Sequence, residues 1–370
     1  MGARSSNTDK NGHRNNSENT LLNGHLSYFY NSSLNSGSAQ PNAVPAPFIA
    51  TGGTKDTSSR SGYTLHKFTS TGPSSLVISA IENAPFSTVE CLIVAGGGAG
   101  GNMTGGGGGG GGGVLYWNAL PVSNGTIPVS VGAGGEGGNP STTTQGLQGG
   151  DSVVVANPGS TTYTANGGGG GCGGVEGAVP PVNAGGSSGG TSAPGSPTGL
   201  NPNPAKAATQ SPVGSFTGYG NAGGRGYHTG GQKIDGGGGG GAGAAGGDAS
   251  SGSYPAPGND GGIGQPISIT GTNLRWAGGG GGGGHFSNSN AGNGGNGGGG
   301  GGGGNNNAGE GGAGLNAGED GSQSSGGAAG GDGGTNTGGG GGGDGGNNWS
   351  GAPGAEGGPG IVVFAYPGTY

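Results

Sequence analysis

Charged side chains are scarce in this chain, in which Asp, Glu, Lys and Arg make up 7% of 370 residues. Enzymes that use acid–base or nucleophilic chemistry bring several such groups together. No Ser–His–Asp arrangement or carboxylate pair stands out here, and the five His have no metal-ligand spacing. We therefore predict that the protein is not an enzyme, holds no metal and needs no cofactor.

Basic residues and long apolar runs are also lacking. Only four Lys and Arg follow residue 70, against fourteen Asp and Glu. Without a basic patch to neutralise phosphates, nucleic acid is excluded as a partner. No apolar run approaches the roughly 20 residues of a membrane span, and no secretory signal pattern is present. We expect neither nucleic-acid binding nor membrane insertion.

Cysteine is nearly absent, with Cys91 and Cys172 as the whole complement. The two could form a disulfide or remain two buried free thiols, and their positions do not decide between these alternatives. A phosphate-binding P-loop is excluded because none of the five Lys follows a Gly. The calcium-binding nonapeptide is matched by Gly339–Asp344 but needs a large aliphatic residue at position 346, which is Gly.

What the chain does have is glycine, 113 residues in all, of which 105 follow Ala95. They are arranged in tracts such as Gly105–Gly113, and we find no collagen-like triplet repeat. Ordered structure would then depend on main-chain hydrogen bonds, in stacked sheets or in packed polyglycine-II-type helices, a form with about three residues per turn. Disorder is the other interpretation that the composition allows. We predict the helical bundle.

The predicted fold is mostly β and irregular. A small β-unit at 48–95, with strands at Phe48–Thr51, Tyr63–Phe68, Leu76–Ile81 and Val89–Ala95, precedes a polyglycine-II bundle with variable loops at 96–370. Two apolar stretches within Val114–Val131 flank Ser123-Asn124-Gly125 and predict a β-hairpin. Ile361–Tyr366 predicts a last strand that closes an edge of the bundle.

Residues 1–47 are polar, rich in Asn and Ser, and have one apolar-aromatic patch. Such a segment does not bury enough apolar surface to fold alone. We interpret it as an attachment segment that binds another protein through Leu26, Tyr28, Phe29 and Tyr30.

Several motifs resemble one family. The runs Ile49–Gly53, Tyr63–Ser70 and Val89–Gly98 (VECLIVAGGG), with Val129–Gly135 and Gly358–Pro367, resemble the glycine-rich domain of phage tail-fibre and virion proteins. The resemblance covers about residues 48–370 and departs at Cys91, where that family usually has an aromatic residue. By composition the chain also resembles the tip adhesins of T-even-like phages, which have polyglycine-II cores and bind the bacterial receptor through loops.

These resemblances imply a virion protein located in an extracellular tail or fibre. It would attach to other virion proteins through residues 1–47 and recognise a host surface glycan or outer-membrane protein. It could also form homo-oligomers. Aromatic and charged residues in the spacers between glycine tracts are the candidate receptor contacts. They are Phe216, Tyr219, Arg225, Tyr227, His228, Tyr254, Arg275, Trp276, His285, Phe286 and Trp349.

Three alternatives stay open at this point. The spacer aromatics could instead cap the ends of the bundle and shield its backbone from water. The protein could be a purely structural virion component, such as a capsid decoration or tail protein. It could also be a non-viral extracellular glycine-rich filament protein.

Overall fold

The fold is taken from a computed structural model of the chain. The structure describes residues 48–80, 87–103, 105–138, 145–173, 184–192, 199–200, 206–228, 234–250, 259–285, 290–345 and 354–368. Nearly all of them belong to one compact unit, Ala50–Ser79 with Ser87–Tyr370. Of a second unit, Met1–Ile49 with Ala80–Phe86, only three residues are described. The predicted attachment residues Leu26, Tyr28, Phe29 and Tyr30 lie outside the described residues.

The described residues form antiparallel β-sheets and no α-helix or 3₁₀-helix. The strands are β1 Ile49–Thr51, β2 Thr54–Asp56, β3 Tyr63–Phe68, β4 Gly72–Ala80, β5 Thr88–Val94, β6 Val114–Pro121, β7 Gly125–Val131, β8 Ser152–Val155, β9 Thr162–Ala165, β10 Gly199–Leu200, β11 Thr217–Tyr219, β12 Tyr227–His228, β13 Ile234–Asp235, β14 Gln265–Ile267, β15 Leu274–Trp276 and β16 Ile361–Pro367. The predicted strands in 48–95 and at the C-terminal end are confirmed within a few residues, whereas β2 and all the strands from β8 to β15 were not foreseen.

Two large sheets face each other. One has the strand order β11-β6-β5-β16-β3-β2 and the other β1-β4-β7-β8-β9. Strands β5, β6 and β16 of the first contact β7, β8 and β9 of the second. The first sheet's other face packs against the β14–β15 hairpin, where Leu92, Val363 and Trp276 are fully buried. Strands from 48–95 therefore share both sheets with strands from the glycine-rich part.

The predicted hairpin at Val114–Val131 is wrong in its pairing. Its two strands exist, but β6 pairs with β5 and β11, whereas β7 pairs with β4 and β8. Ser123, in the link between them, donates its N–H to the Asn157 carbonyl at 3.0 Å and its hydroxyl to the Asn157 side chain at 2.9 Å. These bonds replace those of a tight turn, so the link crosses from one sheet to the other.

The last strand is also not where we predicted it. β16 lies between β5 and β3 in the middle of the six-stranded sheet and not at an edge. Residues Ile361–Tyr366 are all buried. A continuous apolar run is typical of a strand with both faces covered, and this explains the central place.

Within the described residues, the glycine tracts belong to neither strand nor α-helix, and the expected helical bundle is not among the regular elements. Their hydrogen bonds nevertheless repeat every third residue. In Gly105–Gly113, the N–H groups of 107, 110 and 113 bond to carbonyls of 166–172, those of 108 and 111 to 237–240, and those of 109 and 112 to 338–341. Three further segments, 95–101, 187–190 and 280–283, donate N–H groups to its carbonyls. Six segments thus surround this tract.

Segments on the outside of this array show the same period in their burial. Positions 133 and 136 are exposed, as are 260 and 263, 293 and 296, and 310 and 313, while the residues between them are mostly buried. At each of these positions the side chain is larger than Gly and Gly-Gly follows or precedes it. Short X-Gly-Gly triplets therefore occur beside the long tracts, a pattern that the sequence analysis did not identify. They mark segments that have neighbours on one side only.

His66, on β3, forms a pH-sensitive contact with the β1–β2 link and with the neighbouring strand β16. The ring is buried, with Nδ1 2.7 Å from the Gly52 carbonyl and Nε2 3.0 Å from the Tyr366 hydroxyl. Burial lowers the pKa of His66, against a hydrogen bond to Gly52 that raises it. The ring is therefore neutral in the fold, with Nδ1–H as donor to Gly52 and Nε2 as acceptor from Tyr366.

We predict that the free energy of unfolding falls as the pH is lowered through about 6.5, the pKa of an unfolded His. Below that pH, His66 binds a proton in the unfolded chain but not in the fold, where its pKa is lower, so acid favours unfolding. Chemical denaturation between pH 5 and 8 measures the effect. His66→Gln can form both hydrogen bonds and does not titrate, so its stability should lose this component. An identical pH dependence in both proteins would contradict the assignment to His66.

Candidate functional site

The glycine segments have two distinguishable ends. At one, which we call the sheet end, Ala95, Gly113 and Gly360 continue directly into or out of β5, β6 and β16. At the other, which we call the far end, Gly101 donates its N–H to Gly107 at 2.8 Å. Hydrogen bonds between neighbouring segments place each described candidate residue at one of these two ends.

Phe216 and Trp276 lie at the sheet end and are buried. The Phe216 ring centroid lies 4.6 Å from that of Tyr163 and 5.5 Å from that of Trp117. Trp276 is fully buried and donates its Nε1–H to the Ile267 carbonyl at 3.3 Å. Because both side chains are buried, their contacts support a packing role, and a binding role for either stays a prediction. They pack against the sheets, as the alternative interpretation of the spacer aromatics held.

Tyr219 and Arg275 are also at the sheet end and are half-buried. Tyr219 lies on β11 and packs against the core cluster beside β6. Arg275 donates from Nη1 to the Gly264 carbonyl at 3.0 Å. Each has a structural partner, and neither lies near the far-end candidates along the segments.

Tyr227, His228 and His285 lie at the far end. β12, which contains Tyr227 and His228, pairs with β13, and β13 continues into the tract that begins at Gly236. Asp235 at the end of β13 forms a bridge with Gly284, next to His285. Both His residues are buried, whereas Tyr227 is half-buried. Of these three side chains, Tyr227 is the one that solvent reaches.

Arg225 lies two residues before Tyr227 and is paired with Asp248. Its Nη2 lies 2.7 Å and its Nε 3.1 Å from Asp248 Oδ2, and its backbone N–H donates to Oδ1 at 2.7 Å. Partial burial opposes ionisation of Asp248, but the bonds from Arg225 prevail and lower the pKa of its carboxyl. Because the pair is exposed, it contributes little to stability, although it holds the guanidinium in one place.

The remaining candidates, Tyr254, Phe286 and Trp349, lie outside the described residues. The described residues on either side of them are at the far end. Asn259 accepts from the N–H of Gly282, two residues from the Asp235–Gly284 bridge, and Gly345 bonds to Ala328 at the same level as the bridges of Gly304. The chain thus leaves and re-enters the described structure at the end where Arg225 and Tyr227 lie.

Sequence reasoning missed the role of acidic and amide side chains along the sides of the bundle. Their oxygens accept hydrogen bonds from outward backbone N–H groups of the adjacent segment. The donor and acceptor pairs are Gly167 and Asp151, Arg225 and Asp248, Asn293 and Asp260, Glu310 and Asn293, Ala313 and Asn296, Gly311 and Asp320, and Glu356 and Asp332, at 2.7–3.2 Å. An unpaired main-chain donor is costly, so these side chains stand in for absent neighbours. The X-Gly-Gly spacing was the signal that could have revealed them.

Both cysteines are buried free thiols. Burial raises the pKa of Cys91 and raises that of Cys172 to about 11, so neither is a reactive thiolate at neutral pH. Among the described residues there is no group of three or more His, Cys, Asp and Glu that could hold a metal ion. The same residues include no helix able to cross a bilayer.

These features define a glycine-rich scaffold of hydrogen-bonded segments with two packed β-sheets at one end. The chain matches the model of the glycine-rich domain family over residues 69–335, which is most of its length, and it belongs to that family. No curated protein matches it.

Proposed function

We propose that the glycine segments are polyglycine-II-type helices. The threefold repeat of hydrogen-bond partners supports this, because a helix with three residues per turn presents every third N–H in one direction. The six neighbours of Gly105–Gly113 support it as well, since a strand in a sheet has two. An experimental structure in which the hydrogen-bond partners of the glycine tracts alternate every second residue, as in a β-strand, would contradict it.

We further propose that the protein is a phage tail-fibre or adhesin protein that recognises a host surface with the far end of the bundle. The observation that carries this is that Arg225 and Tyr227 lie at the end where the described chain stops at residues 250, 285 and 345, on a scaffold held by main-chain bonds. Recognition residues commonly lie on connections that a rigid scaffold positions. The sequence resemblance to phage tail-fibre and virion proteins supports the virion setting.

The experiment is binding of the labelled full-length protein to intact host cells. One variant replaces 251–258 and 346–350 with Gly-Ser, and a control replaces Thr272 and Asn273, an exposed turn at the sheet end, with Ser. We expect saturable binding by the wild type and the control and its loss in the far-end variant. Equal binding by all three would contradict a far-end receptor surface, and no binding by any would favour a purely structural virion protein.

A further inference from the structure

An open groove of about 490 Å³ runs along the outside of the bundle between segments 132–138 and 354–360. These two segments are hydrogen-bonded neighbours, with N–H groups of Gly354, Gly357 and Gly360 bonded to carbonyls of Gly138, Gly135 and Gly132 at 2.9–3.2 Å. Its lining includes four glycines, two from each segment: Gly134, Gly137, Gly354 and Gly357. The side chains at its rim include Ala133, Glu136 and Glu356, all exposed.

Four main-chain groups along this groove lack a hydrogen-bond partner among the described residues. In the described part of the chain, no acceptor bonds the N–H of Gly134 or Gly137, and no donor bonds the carbonyl of Gly354 or Gly357. Because bond directions repeat every third residue, the two N–H groups point one way, and so do the two carbonyls. A Cβ placed at Gly134 or Gly137 would overlap the carbonyl oxygen of Gly357 or Gly354. The two N–H groups and the two carbonyls therefore lie along the same groove, where a further segment could bond to both.

In another groove on the bundle, side chains bond to the main-chain N–H groups. Between 259–264 and 309–312, Asn293 donates its N–H to Asp260 Oδ1 at 2.7 Å, and its own Oδ1 accepts from Glu310 at 2.9 Å. Side-chain oxygens there take the bonds that a further segment would form. No side-chain oxygen of a described residue does so for Gly134 or Gly137.

We propose that the open groove binds an extended segment of a partner protein with a repeating basic-Gly-Gly sequence, which adds one more row to the bundle. Donors and acceptors three residues apart require an occupant with a threefold repeat, about 9 Å per turn. Close main-chain approach requires Gly at the positions that face the bundle. Glu136 and Glu356 at the rim favour Lys or Arg at the third position. A second copy is disfavoured because the described outer triplets carry mostly acidic or amide side chains.

The test uses full-length protein and a fluorescent peptide of three Lys-Gly-Gly repeats, compared with Lys-Ala-Ala and Glu-Gly-Gly peptides. We expect saturable binding of the first peptide alone. Ala133→Tyr fills the groove and should weaken binding about tenfold. Ala313→Tyr makes the same change at an exposed position on another outer segment and should leave binding unchanged. Glu136→Gln with Glu356→Gln should weaken binding without adding bulk, which keeps the test valid if Ala133→Tyr misfolds.

Equal binding of the Lys-Gly-Gly and Lys-Ala-Ala peptides would overturn the proposal, because charge alone would then account for attachment. Equal losses in Ala133→Tyr and Ala313→Tyr would also overturn it. Self-association that Ala133→Tyr abolishes would replace the basic partner with a second copy of the chain. None of these readouts depends on host recognition, so the proposal and the adhesin function can fail separately.

Discussion

Gly109→Ala is expected to destabilise the fold by about 3 kcal/mol, the upper end of the typical cost of overpacking and a large share of the roughly 5–15 kcal/mol that a domain has. Gly109 is buried in the central tract, and a Cβ there would overlap the carbonyl oxygens of Gly98 and Ala99. Both are main-chain atoms of a neighbouring segment, so no side chain can turn away. To remove this overlap, the two segments would have to move apart, and the hydrogen bonds that each forms with its neighbours would lengthen.

Chemical denaturation of the wild type and the variant measures this cost. Gly247→Ala is the matched control, because it lies in an outer segment and the nearest atom to its Cβ is 3.3 Å away. We expect the control to stay within about 1 kcal/mol of the wild type. Similar losses for the two variants would mean that the central tract is not packed as tightly as its hydrogen bonds indicate.

Such tight packing explains which parts of the fold could be predicted from the sequence. An unbroken run such as Gly105–Gly113 has no side chain to form a core, so main-chain pairing with several neighbours was a sound expectation. Strands β3, β5 and β16 followed from short apolar runs bounded by Gly and Ser. Their partners did not, because pairing among strands 300 residues apart is decided by which faces must be buried together. The Ser123-Asn124-Gly125 signal failed for that reason.

The burial of several candidate residues could not be predicted from the sequence. Phe216 and Trp276 stand in polar, glycine-rich spacers, where an aromatic residue appears as a surface anchor. The partners that bury them, Trp117 and Tyr163 for Phe216 and Ile267 for Trp276, come from other elements, and no local pattern announces them. Arg225 was identified from its residue type, but its pairing with Asp248 depends on two outer segments lying side by side. Composition likewise did not reveal that acidic side chains of the glycine-rich part accept hydrogen bonds from main-chain N–H groups of adjacent segments.

Trp276→Ala is expected to cost about 3–5 kcal/mol, as do other deletions of large buried aromatic rings. The indole is fully buried between the β14–β15 hairpin and the six-stranded sheet, in the cluster that contains Leu92 and Val363. Its removal leaves a cavity and also frees the Ile267 carbonyl from the bond with Nε1. The effect should appear in thermal and denaturant unfolding.

Arg275→Ala is the control for this prediction, since the neighbouring side chain was an equal candidate from the sequence. Arg275 is half-buried and forms one bond to the Gly264 carbonyl, so its loss should cost about 1 kcal/mol. If Trp276→Ala instead kept full stability and lost host binding, Trp276 would be a receptor contact, and its burial in the cluster would be contradicted. The pair of variants therefore separates the two roles that one spacer sequence suggested, packing at the sheet end and recognition at the far end.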